Sequence, residues 1–532
     1  MKTQIQTTPQ LPPIQGRVDG PGTQATNIHD SPRRWLGLAV LCASLLIVVM
    51  DTTVLNVALP AITAQLQPSS VQILWMVDVY ALVVAGFLVV ASEIADRIGR
   101  RRMLIAGYAV FATAPILVIF ANSAADLITI RALLGIGGAL IMPSTLSLIR
   151  TLFHDPRERA FALGIWGSMA AVGAGMGPLV GGLLVQHLSW HWAFLFNTPI
   201  MIVALIAACK FLPESKVPGK GRWDALGVAL SVIGIAAMVY AIKDMARNGF
   251  GQPLTWIVAI VAAVALTWFV LRSLRMLRPV LDLRLLRYKG LSAGLVTAIV
   301  SSVGVASMML LIAQWLQLVK GYTPVQAGVQ LLPMAITACI FSPLAPKMAE
   351  MIGVRTVIVG GLSSGGLGFT LLWLAPSPFS SLTLFVSLML VGLSMSSLAV
   401  GSAIIMGSAP LDRVGNAAAM EEIAFKLGGV LGVTVLGSLA ATLYRWNLPR
   451  GDLMAMGING SEATAAQDSL GGAASVAESM DEGGAAMLNQ AQEAFTASVS
   501  TAGLVGGLLM FMAAALVWRM IPRHQSIAGV EH

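Results

Sequence analysis

The chain has 532 residues, of which 56% are hydrophobic and 11% are charged, and its formal net charge is +8. Soluble proteins contain about 25% charged residues, so this composition excludes a string of soluble domains and predicts one polytopic membrane protein. The positive charge does not indicate a nucleic-acid partner, because the basic residues follow the parity of the loops described below.

Fourteen hydrophobic segments follow a polar N-terminal tail. The tail, residues 1–34, is rich in Pro, Gln and Thr, and we expect it to be disordered. Each segment is long enough to cross a bilayer as a helix, which needs roughly 20 apolar residues. The predicted segments, numbered 1 to 14, are 35–60, 72–93, 103–122, 126–149, 160–186, 191–212, 224–243, 254–272, 291–318, 324–346, 354–375, 379–405, 415–441 and 493–519.

The distribution of Lys and Arg predicts the orientation. If the N-terminus is cytoplasmic, the cytoplasmic tails and loops hold 26 of the 33 basic residues and the outer loops hold five. Cytoplasmic loops of membrane proteins carry such an excess. The sequence therefore predicts an even number of spans with both termini in the cytoplasm.

Segment 1 contains a single charge, that of Asp51. A carboxylate at this depth costs on the order of 2.5–3.5 kcal/mol on insertion scales, so an intramembrane Asp is a candidate functional residue. Asp78 lies about seven residues from the outer side in segment 2, and Arg131 about five residues from the outer side in segment 4. By depth, all three can meet in the outer half of the membrane. Their role is either proton and cation coupling or a static ion pair that fixes helix packing.

Loop 2–3 combines a carboxylate, a glycine turn and an arginine run, represented by Asp96, Arg97, Gly99 and Arg100. This arrangement suits a breakable charge latch between neighbouring helices, although an ordinary inside-positive loop would also be basic. A weaker copy of the pattern occupies residues 345–355 in loop 10–11.

Segment 5 carries Gly173, Gly177 and Gly181 at four-residue spacing, with Pro178 between them. This spacing places the glycines on one helix face, where a partner helix can approach closely, and Pro178 removes one backbone hydrogen bond. A generic small-residue contact is the alternative interpretation.

Segment 13 contains Glu421, Glu422 and Lys426. Glu422 and Lys426 are four residues apart in the favourable order and can neutralise each other. That leaves Glu421 as the freer carboxylate.

Several of these patterns resemble one family. The stretch 92–102 resembles the loop 2–3 signature of the major facilitator superfamily, with Ser92 in place of the usual first glycine. The stretch 173–182 resembles the glycine motif of its drug antiporters, and 51–60 (DTTVLNVALP) is similar to the signature of the 14-helix drug:proton antiporter branch. Further matching stretches are 74–80, 131–135, 196–199 and 415–422.

The resemblance implies an all-α membrane protein with 14 transmembrane helices, in which two six-helix bundles flank an inserted helix pair. The corresponding regions are the tail 1–34, an N-terminal bundle at 35–212, a loop with segments 7 and 8 at 213–275, a C-terminal bundle at 276–520 and a cytoplasmic tail at 521–532. The outer segment 445–490 belongs to the second bundle. We interpret it as a flexible connector, with a small amphipathic hairpin as the alternative.

The resemblance also implies proton-coupled export of lipophilic organic cations, such as quaternary ammonium antiseptics and dyes, across the bacterial cytoplasmic membrane. Asp51, Asp78, Arg131, Glu421 and Glu422 are the expected coupling residues. The alternative is a proton-coupled carrier of a metabolite, amino acid or peptide. The chain has no phosphate-binding Gly-x-x-x-x-Gly-Lys-[Ser/Thr] loop, so we expect neither ATP hydrolysis nor any other enzymatic activity.

Aromatic side chains suit lipophilic cations through cation–π contacts, which makes Tyr80, Trp166, Trp315 and Phe425 candidate substrate contacts. Packing in the core or against lipid is the alternative for each. We expect no cofactor and no metal: the three cysteines are far apart, and the pair His187 and His191 lacks a carboxylate partner. Protons, cationic small molecules and membrane lipid are the expected partners of a chain that works as a monomer.

Overall fold

The computed structural model describes residues 33–68, 70–216, 224–248, 251–276, 279, 281–410, 413–456, 458–480 and 483–522. Nearly all of the two predicted tails therefore lies outside the described residues. Within the described ranges the chain is helical and contains no strand.

Nineteen α-helices make up the described part of the chain. They are α1 (Arg33–Leu66), α2 (Ser70–Ile98), α3 (Arg100–Thr113), α4 (Ala124–Leu152), α5 (Pro156–His187), α6 (Trp192–Leu195), α7 (Asn197–Phe211), α8 (Ala225–Asn248), α9 (Pro253–Arg275), α10 (Lys289–Leu318), α11 (Pro324–Ile352), α12 (Val354–Leu374), α13 (Ser381–Ser408), α14 (Val414–Leu431), α15 (Gly437–Asn447), α16 (Arg450–Ala455), α17 (Gly460–Asp468), α18 (Leu470–Ser479) and α19 (Gly484–Met520).

Fourteen spans in the described part are long and apolar enough to cross a membrane, which confirms the predicted number. Three of them are composite. A 3₁₀ turn (Ala114–Phe120) extends α3, α6 and α7 form segment 6, and a π-helical turn (Gly432–Leu436) joins α14 to α15 as segment 13.

Helices α1–α7 pack largely on one another, as do α10–α19, and α8 and α9 lie between these two groups in sequence; we call the groups the first and the second bundle. The two groups meet where α5 packs on α11 and α13 and where α14 packs on α2 and α4. The inserted helix α8 packs on α2 and also touches α14. These helix pairs therefore bring the charged residues of segments 1, 2 and 4 towards those of segment 13.

Helix ends are fixed by local side chains. At the start of α4, Ser123 and Asp126 form a reciprocal capping box, and Thr323 and Gln326 form another at the start of α11. Each box satisfies backbone N–H groups that the first helical turn leaves unpaired. Asp155 caps α5 by accepting a hydrogen bond from the Glu158 amide at 3.0 Å.

The outer segment 445–490 folds as short helices, so its interpretation as a flexible connector is wrong. Helices α17 and α18 form a hairpin that packs against α19. Tyr444 at the end of α15 donates a hydrogen bond to the Ala466 carbonyl at 2.9 Å, and Gln467 donates to the Leu448 carbonyl at 3.1 Å. The hairpin folds because small apolar residues recur at helical spacing and are buried: Ala463, Ala466, Leu470, Ala473 and Val476.

Candidate functional site

Asp51 lies at the centre of a buried polar cluster in the first bundle. Its Oδ2 accepts a hydrogen bond from Arg131 Nη1 at 2.8 Å, and its Oδ1 accepts one from Asn197 Nδ2 at 2.8 Å. The two charged side chains are 1% exposed or less. The contact brings Asp51 and Arg131 together, as their predicted depths implied.

Arg131 is held from several other directions. Its Nε donates to the Met76 carbonyl at 3.3 Å, and its guanidinium lies 4.7 Å from the centroid of the Tyr80 ring. Helix α2 can approach α4 this closely because Gly135 and Gly138 carry no side chain: a Cβ on either glycine would lie 2.8–2.9 Å from atoms of Tyr80. The arrangement orients the guanidinium towards Asp51.

Asp78, the third member predicted for this cluster, lies in α2 two residues before Tyr80. Its side chain is outside the part of the chain that the structure describes, so its contacts stay a prediction.

The second bundle contributes two buried carboxyl groups from α14. Glu421 and Glu422 are 3% and 4% exposed. Ser402 of α13 donates to Glu421 Oε1, whereas Glu421 Oε2 is buried and has no hydrogen-bond partner among the described residues. Lys426 lies one turn beyond Glu422 on α14, and α14 packs on α2, the helix that carries Tyr80.

Asn197 and Ser402 are site residues that the sequence analysis missed. Asn197 is fully buried at the start of α7, where its amide reaches Asp51 from the face opposite Arg131. The available signal was an amide side chain inside an apolar segment. Serine is frequent throughout α13, so Ser402 carried no comparable signal.

The predicted latch joins α2 to the start of α14. Asp96 accepts hydrogen bonds from Arg100 at 3.1 and 3.2 Å, and a Cβ at Gly415 would lie 2.5 Å from both Asp96 carboxylate oxygens. Ser92 donates to the Gly415 carbonyl at 2.8 Å. A carboxylate at a helix N-terminus is favoured by the partial positive charge there. We call Ser92, Asp96, Arg100 and Gly415 the cytoplasmic latch, after the side on which the sequence predicts the basic loops to lie.

Gly99 turns the chain between α2 and α3. Its φ of +125° is a backbone conformation that favours glycine, and a Cβ at this position would overlap the Glu214 carboxylate. Arg97 pairs with Glu93 at 2.8 Å within α2 rather than across the bundles. Gly353 joins α11 to α12 with φ +91°, so the weaker copy at 345–355 forms the same kind of turn.

Two further contacts join the bundles at helix ends. Arg150 at the end of α4 donates to the carbonyls of Met406 and Ala409 at the end of α13. Arg157 of α5 pairs with Glu350 of α11 at 2.8 Å, although the arginine side chain is 77% exposed. With the latch, these contacts hold together the ends of the two bundles that the distribution of basic residues predicts to be cytoplasmic.

The glycine motif of α5 lies against α1 next to Asp51. Added Cβ atoms would meet the Leu46 carbonyl at 2.8 Å from Gly173 and the Val54 side chain at 3.0 Å from Gly181, and at Gly177 the Cβ would overlap Thr53. Pro178 lies on another face, 3.6 Å from the Cβ position of Gly328 in α11. Helix α5 therefore packs closely on Asp51's own helix with one face and on the opposite bundle with another.

The aromatic candidates occupy different environments. Trp315 is fully buried, its indole N–H donates to Thr496 Oγ1 at 2.9 Å, and its ring lies 5.2 Å from that of Phe379. Trp166 is 6% exposed and its indole nitrogen has no partner. Phe425 is half-buried on α14 between Glu422 and Lys426 in sequence. Tyr80 and Phe425 are thus placed near the charged cluster, whereas Trp315 packs inside the second bundle.

No group of three or more metal-binding side chains occurs among the described residues. His191 stacks on Trp190 with ring centroids 3.9 Å apart, and burial lowers the pKa of its imidazole.

Residues 41–328 match the family model described as Major Facilitator Superfamily. The chain is 36% identical to the multidrug efflux pump LfrA of Mycolicibacterium smegmatis, covering 93% of this chain and 98% of LfrA. It is 32% identical to the methyl viologen resistance protein SmvA of Salmonella typhimurium, covering 93% of this chain and 99% of SmvA.

A solved structure, that of the human organic anion transporter MFSD10, shares the fold with a TM-score of 0.54 and 16% identity over 90% of this chain and 100% of that one. The chain therefore belongs to the major facilitator superfamily, in its 14-helix drug:proton antiporter branch, and is a transporter rather than an enzyme.

Proposed function

We propose that the protein exports lipophilic organic cations, including quaternary ammonium compounds and dyes, from the bacterial cytoplasm in exchange for protons. The observation that carries the proposal is the pair of buried charged clusters, Asp51 with Arg131 in one bundle and Glu421 with Glu422 in the other, on helices that meet where α14 packs on α2 and α4. Efflux pumps among the relatives support the direction of transport. Both termini are proposed to be cytoplasmic, and the functional unit is proposed to be the monomer.

Glu421 provides the cation with a partner. Its Oε2 is buried and has no hydrogen bond within the described part of the chain, and an unpaired buried carboxylate oxygen is costly. A bound cation offsets this cost, and the faces of Tyr80 and Phe425 add cation–π contacts of about 0.5–2 kcal/mol.

Asp51 receives the proton. In the described state its charge is balanced by Arg131. When a proton binds Asp51, the guanidinium is left without its counter-ion and the net charge of the site rises by one. The unbalanced guanidinium charge then repels a cation near Tyr80, and the cation is released. Proton and cation therefore compete by electrostatic repulsion, even where they bind to different carboxylates.

The conformational change separates the bundles at one end and then at the other. With the cytoplasmic latch closed, the described state corresponds to the stage at which a cation leaves and a proton enters from outside. Exchange of one proton for one monovalent cation is electroneutral, whereas each additional proton adds about 2.3 kcal/mol per 100 mV.

Inside-out vesicles with an acidic lumen test the proposal. Adding ethidium or a quaternary ammonium compound should alkalinise the lumen with the wild type and not with Asp51→Asn present at an equal level. Asp452→Asn is the control, because it neutralises an exposed carboxylate in α16 outside the spans. A wild type that is silent towards a panel of cations contradicts the proposal. Proton-coupled flux of a metabolite, amino acid or peptide in the same vesicles would then support the carrier alternative.

A further inference from the structure

Helix α14 carries three ionisable groups within about one and a half turns: Glu421, Glu422 and Lys426. Their formal charges sum to −1 when all are ionised. In the first bundle, Asp51 and Arg131 form a pair with no net charge. Lys426 therefore decides whether α14 presents one or two uncompensated carboxylates to the site.

Lys426 lies one turn beyond Glu422 on the same helix. The two groups are four residues apart in the order that favours their attraction. They form neither a hydrogen bond nor an ion pair within 4.0 Å in the described part of the chain. The ammonium group is thus close enough to offset the charge of Glu422 without being locked to it.

Glu421 is oriented differently, because adjacent residues on a helix point about 100° apart. Ser402 donates a hydrogen bond to its Oε1, and its Oε2 is buried with no partner among the residues that the structure describes. The helix therefore offers a substrate one uncompensated carboxylate, that of Glu421. The charge of the second carboxylate, that of Glu422, is balanced by Lys426.

We propose that Lys426 sets the charge of the exported cation: its ammonium group takes the place of a second substrate charge, so the protein exports monovalent lipophilic cations and discriminates against divalent ones. This inference rests on the proposed function and names the substrate class of that site.

The physical reason is the cost of a net charge in a medium of low dielectric constant. A monovalent cation brings the α14 groups to neutrality, whereas a dication leaves them with one uncompensated positive charge. At a separation of roughly 6 Å and an effective dielectric constant of about 20, one such charge corresponds to on the order of 100-fold in affinity. Solvent and salt reduce this factor. Asp78 is present in every variant compared below, so its charge cancels in the comparison.

Two aromatic cations of nearly equal size distinguish the effect of substrate charge from that of substrate shape. N-methyl-4-phenylpyridinium carries one positive charge and methyl viologen carries two. The measurement is the ratio of methyl viologen to N-methyl-4-phenylpyridinium export, using wild-type protein in inside-out vesicles. The inference predicts a low ratio for the wild type and, for Lys426→Met, a ratio at least about tenfold higher.

The double variant Lys426→Met with Glu422→Gln removes both members of the balanced pair and restores the charge of −1, so its ratio should return to the wild-type value. Lys320→Met is the matched control. This exposed lysine lies just beyond the end of α10, 5.4 Å from the Trp315 ring, and its loss should leave the ratio unchanged. A merely structural role of Lys426 would lower the export of both cations together and would leave the ratio as it was.

An unchanged ratio in Lys426→Met that still exports the monovalent cation overturns the inference and leaves the proposed function standing. Equal export of both cations by the wild type overturns it without any variant, so the inference stays testable if Lys426→Met does not insert. Lys426→Gln provides a second neutral substitution. If the wild type exports neither these cations nor any other of a wider panel, the proposed function itself fails.

Discussion

Replacing Gly415 with alanine tests the cytoplasmic latch. The added methyl group would lie 2.5 Å from both carboxylate oxygens of Asp96, whereas real Cβ contacts essentially never fall below 3.0 Å. Asp96 cannot swing aside, because it is 1% exposed and held by two hydrogen bonds from Arg100. The start of α14 must therefore move away from α2 by about half an ångström.

Overpacking of this kind typically costs about 1–3 kcal/mol. Since the methyl group clashes only while the latch is closed, the cost falls on the state closed to the cytoplasm and not on the open one. A difference of that size shifts the equilibrium between the two states by about 5–150-fold.

Distance measurements between spin labels read this shift directly. Ile98→Cys at the end of α2 and Met351→Cys at the end of α11 place labels on exposed sites of opposite bundles, in a background in which the exposed Cys209 is replaced. Gly415→Ala should increase the population with a longer label distance. Gly360→Ala, where a Cβ would meet nothing within 4 Å, should leave the distances as in the wild type. Identical distributions for Gly415→Ala and wild type would refute the latch.

Three further substitutions have expected outcomes. Asn197→Ala removes one of the two side-chain donors to Asp51, which costs about 1–3 kcal/mol because the buried carboxylate oxygen loses its partner. Export should therefore fall at least about fivefold. The control Thr198→Ala loses a hydrogen bond to the Ala112 carbonyl instead and should not reduce export in this way. Trp315→Phe loses the hydrogen bond to Thr496, which is worth about 1 kcal/mol. The melting temperature should therefore fall, while the relative export rates of different cations should not change. Altered selectivity among cations would show that Trp315 contacts the substrate. Asp224→Asn changes a carboxyl group that lies outside the spans. Burial alone would raise the pKa of Asp224. Hydrogen bonds from Arg272 and the Gly227 amide, together with the Arg272 charge, instead hold this pKa below its ordinary value of 3.8. The stability that the ionised carboxylate adds is present above the unfolded-state pKa and is lost as pH falls through the folded-state pKa. The variant should therefore melt at a lower temperature than the wild type at pH 7, and the two melting temperatures should converge in acid. A difference in melting temperature that does not change with pH would contradict this.

Much of the fold follows from sequence because bilayer thickness fixes the length of each span. The apolar segments and the parity of the basic loops together predicted 14 spans, and the structure places a helix in each. The helical hairpin at 460–479 was only the alternative interpretation of its segment, since its contacts are made largely by alanines that are individually weak signals of a buried face.

The sequence predicted how deep in the membrane the site residues lie, but not how each helix is rotated about its axis. Position along a span indicated that Asp51 and Arg131 could meet, and they do. Nothing local indicated that Asn197 would face Asp51, because that contact depends on how α7 is rotated against α1. Glu421 stays a prediction as the freer carboxylate, and the sequence could not indicate its bond from Ser402, which depends on the packing of α13 against α14.

Proton release on cation binding tests the central claim most directly. Purified protein in weakly buffered detergent solution is mixed with a monovalent lipophilic cation, and the protons released are counted against the cations bound. If cation and proton compete through the buried carboxyl groups, binding releases up to about one proton per cation as pH falls into the range where the site is protonated. Asp51→Asn and Glu421→Gln should each reduce that release. Cation binding with no proton release at any pH would contradict the account.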